Sequence, residues 1–93
     1  MTKKHAMAER EPLTPGLAQR IVVQNTPDRP SDPAPNTLLK TLGIVDGETA
    51  NTHKAGIQRD LRNIGWRIQQ NDIESSPTKT IAACRDSVLS NAS

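Results

Sequence analysis

Trp66 is the only aromatic residue in this 93-residue chain, which has no Phe and no Tyr. Aromatic rings bury about 150–250 Å² each and usually anchor the core of a domain. Without them the interior must be assembled from Leu, Ile, Val and Ala, within a hydrophobic fraction of only 33%. A domain this small gains only about 3–5 kcal/mol from its core. The fold must therefore depend on locally packed helices, on a second copy or on a partner. The length admits one small domain, and part of the chain need not belong to it.

The prolines divide the chain. Six of the seven (12, 15, 27, 30, 33 and 35) lie in the first 35 residues, and Pro77 is the exception. Met1 to Glu11 carries Lys3, Lys4, His5 and Arg10 with two glutamates, too little apolar surface to offset the entropy of ordering. In LTPGLAQRIVVQ, Thr14 can cap and Pro15 can open a helix with Leu17, Ala18, Ile21 and Val22 on one face. The run Ile21-Val22-Val23 fits a short strand equally, so both remain open for 14–23. Asn25 to Pro35, NTPDRPSDPAP, reads as an extended, partly polyproline-like linker. Residues 1–35 are thus expected to be a flexible, basic, Pro-rich arm, and residues 36–90 a compact helical domain.

Within that domain Asn36 offers an N-cap and Gly43 a C-terminal stop, with Leu38, Leu39 and Leu42 as the apolar stripe between them. Asp46-Gly47 reads as a turn, and Asn51 or Thr52 as the cap of a longer helix over 52–64 that Gly65 ends in the left-handed conformation. Trp66 and Ile68 alternate with Arg67 and Gln69, which suits a short extended segment, and Asn71-Asp72 a turn. Ser76-Pro77 then signals a last helix that buries Ile81, Cys84, Val88 and Leu89.

The longer helix carries the candidate function. At 3.6 residues per turn Ile57, Leu61 and Ile64 stack on one side, and Lys54, Gln58, Arg59, Arg62 and Asn63 fall on the other. Arg, Gln and Asn offer the paired donors and acceptors that match base edges, and Lys and Arg match phosphates. Lys54, Gln58, Arg59, Arg62 and the following Arg67 are therefore the candidate nucleic-acid-binding residues. The same face also fits a plain solvated surface, and Asp60 beside it would be repelled by phosphate. Net charge is +2, which permits an anionic partner without demanding one.

A short helix, a turn, a longer basic helix and an extended segment follow the order of a helix-turn-helix with a small wing. The run LLKTLGIVDGETANTHKAGIQRDLRNIGWRIQQ, residues 38–70, resembles the winged-helix-like terminal module of phage and plasmid replication proteins, including virulence-associated E proteins. The positions that carry the resemblance are Leu42-Gly43-Ile44, Leu61-Arg62 and Gly65-Trp66. It implies a mainly α, winged-helix-like domain with a minimal β wing that binds double-stranded DNA in a phage or mobile-element setting. The ATP-dependent activity of those larger proteins does not carry over, because none of their primase or helicase portion is here.

No enzyme is expected. The histidines, His5 and His53, have no Cys or Glu at ligand spacing, so neither a metal nor a cofactor is expected. A pairing of His53 with Asp46 or Glu48 lacks any accompanying nucleophile motif, and His53 reads as a half-exposed first-turn residue. The lone Cys84 reads as a buried structural thiol, consistent with a reducing compartment. The first twenty residues hold no apolar stretch long enough for a secretory leader, and none of the chain approaches a membrane span, so a cytoplasmic location is expected.

Two classes of function fit these features. One is a small DNA-binding regulatory or replication accessory protein. It would act as a homodimer if Ile81, Cys84, Val88 and Leu89 form a shared surface. The other is an adaptor or inhibitor whose Pro-rich arm or thin helical body completes its fold on a larger nucleic-acid-processing machine, from host or phage.

Overall fold

A computed structural model describes residues 10–93. Among them are three α-helices and two short 3-10 helices, with no strand. Lys3, Lys4 and His5 of the expected arm lie outside the described residues.

Helix α1 spans Pro15–Gln24. Thr14 stands before it in extended conformation and its hydroxyl accepts the Leu17 amide at 3.1 Å. Pro15 fills a first-turn position where a missing N–H costs nothing. Of the two conformations open to 14–23 the helix forms, and it buries Ala18, Ile21, Val22 and Val23 against both other helices, most extensively against the third. The boundary expected at residue 35 therefore does not follow the packing, since α1 belongs to the core.

The Pro-rich stretch is a folded loop. Thr26 is buried, and its hydroxyl donates to the Val23 carbonyl at 2.7 Å and accepts the Arg29 amide at 3.1 Å. The Asp28 amide donates to the Leu42 carbonyl at 3.1 Å. Gly43, at φ 104°, accommodates this return, because any Cβ there would lie 2.7 Å from the Pro27 ring.

The helix expected from Asn36 shrinks to a 3-10 turn, Leu39–Leu42. Its preceding backbone is engaged elsewhere. Leu38 forms an isolated antiparallel bridge with Thr80, the Leu39 amide donates to the Lys79 carbonyl at 2.8 Å, and the Ile81 amide donates to the Thr37 carbonyl at 3.0 Å. These long-range bonds occupy groups that the first turn of an α-helix would need.

Helix α2 spans Gly47–Asn63, five residues earlier in its start than the caps at Asn51 and Thr52 imply. Asp46 is the N-cap instead of a turn residue. Its carboxylate accepts the Thr49 amide at 2.9 Å, while the Thr49 hydroxyl accepts the Asp46 amide at 3.0 Å. This reciprocal box satisfies two orphan donors at once and outcompetes the later caps. The Thr49 amide and, after it, the Thr49 hydroxyl, both donating to the exposed Asp46 carboxyl, hold it below its ordinary range. The C-terminal stop falls where expected, with Gly65 at φ 95°.

No wing forms among the described residues. Residues 66–69 have no regular structure, with Gln69 extended, and join no sheet. Arg67 instead exchanges both backbone bonds with Ser93, at 2.8 and 2.9 Å, and Gln58 of α2 donates to the Ile68 carbonyl at 2.9 Å. The second 3-10 helix, Gln70–Asp72, occupies the expected turn.

Helix α3 spans Ile81–Asn91, capped by the Thr80 hydroxyl on the Ala83 amide at 3.0 Å and not by Ser76. Ile81, Cys84 and Val88 are fully buried inside the single chain, so they cannot form the shared surface of a homodimer. The core joins these residues to Leu39, Ile44, Ile57, Leu61, Ile68 and Ile73, an aliphatic interior with Trp66 only at its edge. No helix among the described residues is long and apolar enough to cross a membrane.

Candidate nucleic-acid interface

The five candidate residues do not share one face. Gln58, Arg62 and Arg67 come together around a groove of about 340 Å³ at the C-terminal end of α2, with Trp66, Gln69 and Asn91 also lining it. The α2 register brings Gln58 and Arg62 to one flank, and the bonds from Gln58 to Ile68 and from Arg67 to Ser93 hold the 66–69 segment beside them. Gln58 Oε1 also accepts from the Gln70 side-chain Nε2 at 3.0 Å, so its carboxamide is already committed within the chain. Arg62 and Arg67 are exposed and make no ion pair among the described residues.

Arg59 lies on the other flank of α2. Its guanidinium reaches Asp60 at 3.2 Å and the Asn25 carboxamide oxygen at 3.4 Å, so part of its charge is answered within the protein. Arg59 is exposed and Asp60 half-buried, and surface pairs of this kind contribute only about 0–1 kcal/mol. Lys54 is half-buried and lines neither this groove nor the Arg59 flank.

Residues 10–11 close over the end of this groove. The Arg10 guanidinium stacks on the Trp66 ring, 3.6 Å from its centroid. The Trp66 indole N–H donates to the Glu11 carbonyl at 2.6 Å and the Glu11 amide to the Ile64 carbonyl at 3.1 Å. Gly65 permits the approach, since a Cβ there would stand 2.9 Å from the Arg10 Cα.

The charge of the chain is nearly balanced in residues 10–93. Without Lys3, Lys4 and Glu9, the twelve basic and ten acidic residues become ten and nine. Attraction of a polyanion would depend on placement of charge and not on its total.

His53 is a core residue, 1% exposed, and not half-exposed near a helix start. Its Nε2–H donates to the Val22 carbonyl at 2.8 Å and its Nδ1 accepts the Ser75 hydroxyl at 2.7 Å. The Val22 carbonyl fixes this tautomer, because it can only accept. Burial lowers the His53 pKa from its ordinary value, against an opposing effect of the Val22 bond. Ser75 beside it is only 5% exposed, so this Ser–His contact is sealed from solvent and holds α1, α2 and the 73–75 segment together. Cys84 is likewise buried, and burial, aided by Glu74, pushes its thiol up to about 12. No group of three His, Cys, Asp or Glu side chains stands at metal-binding distances among the described residues.

The larger surface groove, about 880 Å³, lies elsewhere, between α1, the loop at 29–33, and the Arg59–Asp60 flank of α2. No sequence signal pointed to it, because its residues come from widely separated parts of the chain. Comparison with protein-family models, with curated proteins and with solved structures returned no match to this chain.

Proposed function

We propose that the protein is a small, non-enzymatic DNA-binding module whose interface is the C-terminal half of α2 and the segment that follows it. The observation that carries this reading is the pair of exposed guanidiniums, Arg62 and Arg67, that make no internal ion pair among the described residues and flank one groove. Arginine forks of this kind suit phosphate oxygens. Gln69, exposed beside them, adds an amide of the type that reads base edges. The basic N-terminal arm that carries Lys3 and Lys4 would add phosphate or minor-groove contacts. Lys54 and Arg59 fall outside this interface.

In its finer form the module is helix-turn-helix, with α2 as the helix that enters the major groove. The resemblance of residues 38–70 to the terminal module of phage and plasmid replication proteins favours that form and a role in replication or regulation of a mobile element. No homodimer is needed for these contacts.

The test is fluorescence anisotropy with random-sequence duplex DNA at two salt concentrations. Each phosphate contact contributes about 0.9 to the slope of log affinity against log salt, so Arg62→Glu with Arg67→Glu lowers that slope by about 2. The thermal midpoint stays within the range of ordinary surface substitutions, about 0.5 kcal/mol. Wild-type binding that does not respond to salt, or a double variant that binds as well as wild type, would overturn the proposal. Salt-tolerant, stoichiometric binding to a protein instead would favour an adaptor.

A further inference from the structure

The groove on the opposite flank of α2 gathers four arginines from four separate segments: Arg20 of α1, Arg29 of the loop, Arg59 of α2 and Arg85 of α3. In a body with ten cations and nine acids this is a local excess, since only Asp32 and Asp60 line the same groove and Asp86 pairs with Arg85 beside it. Like charges placed together repel, and an unliganded protein gains nothing from the arrangement.

Two of the four are held in place. The Arg85 guanidinium donates to Asp86 at 2.9 Å and to the Gln19 carboxamide oxygen at 2.8 Å. Arg59 is held by Asp60 and Asn25 as described above. The other two, Arg20 and Arg29, are exposed and make no ion pair among the described residues. Arg29 also has a left-handed backbone, φ 47°, the only such non-glycine residue among those described. The Thr26 hydroxyl, itself anchored on Val23, receives the Arg29 amide and holds that conformation. A backbone of this kind costs about 1–3 kcal/mol and is found where surrounding structure imposes it.

The remaining walls are of mixed character. Val23 and Pro30 give apolar surface, and Gln24 and Ser31 give neutral polar groups. No lysine takes part, and planar guanidiniums match phosphate oxygens two at a time where an ammonium would act as a point charge. The volume, about 880 Å³, falls within the range of about 300–1,000 Å³ usual for small-ligand sites.

We propose that this groove is a phosphate-binding site, in which Arg20 and Arg29 grip the phosphate oxygens and the preset Arg59 and Arg85 supply the surrounding positive field. The phosphates come from a free nucleotide or from a nucleic-acid strand, and the two sources share this chemistry. The site stands apart from the Arg62–Arg67 groove and does not require it.

The experiment uses the full chain and the variant Arg20→Gln with Arg29→Gln, two exposed residues whose loss leaves the unliganded thermal midpoint unchanged. Adenosine diphosphate and inorganic pyrophosphate are titrated by calorimetry, and a labelled random duplex by anisotropy. A free-nucleotide site shows binding of both small probes to wild type, weakened at least tenfold in the variant, with duplex affinity unaltered. A strand site shows at least tenfold weaker duplex binding in the variant, whether or not Arg62→Glu and Arg67→Glu also weaken it. Small-probe and duplex affinities that are both the same in wild type and variant, or are both undetectable in wild type, overturn the proposal whatever the fate of the Arg62–Arg67 interface.

Discussion

Gly56 gives the sharpest test of the packing. It sits in the middle of α2, where exchange of glycine for alanine ordinarily stabilises a helix by about 1 kcal/mol. Here the sign should reverse. A Cβ on Gly56 would lie 2.9 Å from the Asn25 Cγ and closer still to its carboxamide oxygen, so Asn25 must leave its place. Asn25 donates to the Ile21 carbonyl at 2.8 Å and to the Asp60 carboxylate at 2.9 Å, and it accepts weakly from Arg59 at 3.4 Å. At about 1 kcal/mol for each of the two good bonds and less for the third, the displacement costs about 2–3 kcal/mol. Set against the helical gain, Gly56→Ala destabilises by about 1–2 kcal/mol, or about 5–15 °C in a domain of this size. In an Asn25→Ala background the obstruction is gone, and the same substitution should stabilise by up to about 1 kcal/mol. Thermal and urea unfolding of the four proteins measures this cycle. A Gly56→Ala variant as stable as wild type, or an equal penalty in both backgrounds, would refute the reasoning.

Four other outcomes follow from the same structure. His53→Ala opens a cavity and strands the Val22 carbonyl and the Ser75 hydroxyl, at a cost of about 3–5 kcal/mol measurable by urea unfolding. Because burial lowers the His53 pKa, the unfolded chain takes up a proton first. Its contribution is complete above the ordinary value of 6.5 and declines as pH falls from there to the depressed folded value, where it levels off. His53→Gln, which can keep one donor and one acceptor, should remove that decline, and a slope unchanged in the variant would assign it to other groups. Cys84, buried with its thiol pushed up to about 12, should not react with a disulfide reagent until the protein unfolds, so a native-state rate equal to that of a free thiol would contradict the packing. Arg10→Ala removes a stack of about 0.5–1 kcal/mol from the sole fluorophore, and Trp66 emission should change with little loss of stability.

The sequence by itself determined short-range features: a mainly helical body, the stops at Gly43 and Gly65, and the central helix with Ile57 and Leu61 inward, while Thr14-Pro15 left helix and strand both open until the structure showed α1. These signals act within about four residues, the reach of a helical turn or cap, so they are legible without knowing what packs where. The Asp46–Thr49 box was equally local, and an Asp-x-x-Thr pattern was present to be read. Burial is different, because it depends on which elements meet. Only the tertiary structure drew α1 into the core, made His53 a link between Val22 and Ser75, and turned Ile81, Cys84 and Val88, already legible as one buried side, toward the chain's own interior and not toward a second copy. It also divided the basic side of α2, with Arg62 beside Arg67 on one flank and Arg59 against Asn25 on the other. The four-arginine groove was illegible for the same reason. Contacts such as Arg85 to Gln19 join residues 66 positions apart, and no local pattern records a meeting that chain folding alone brings about.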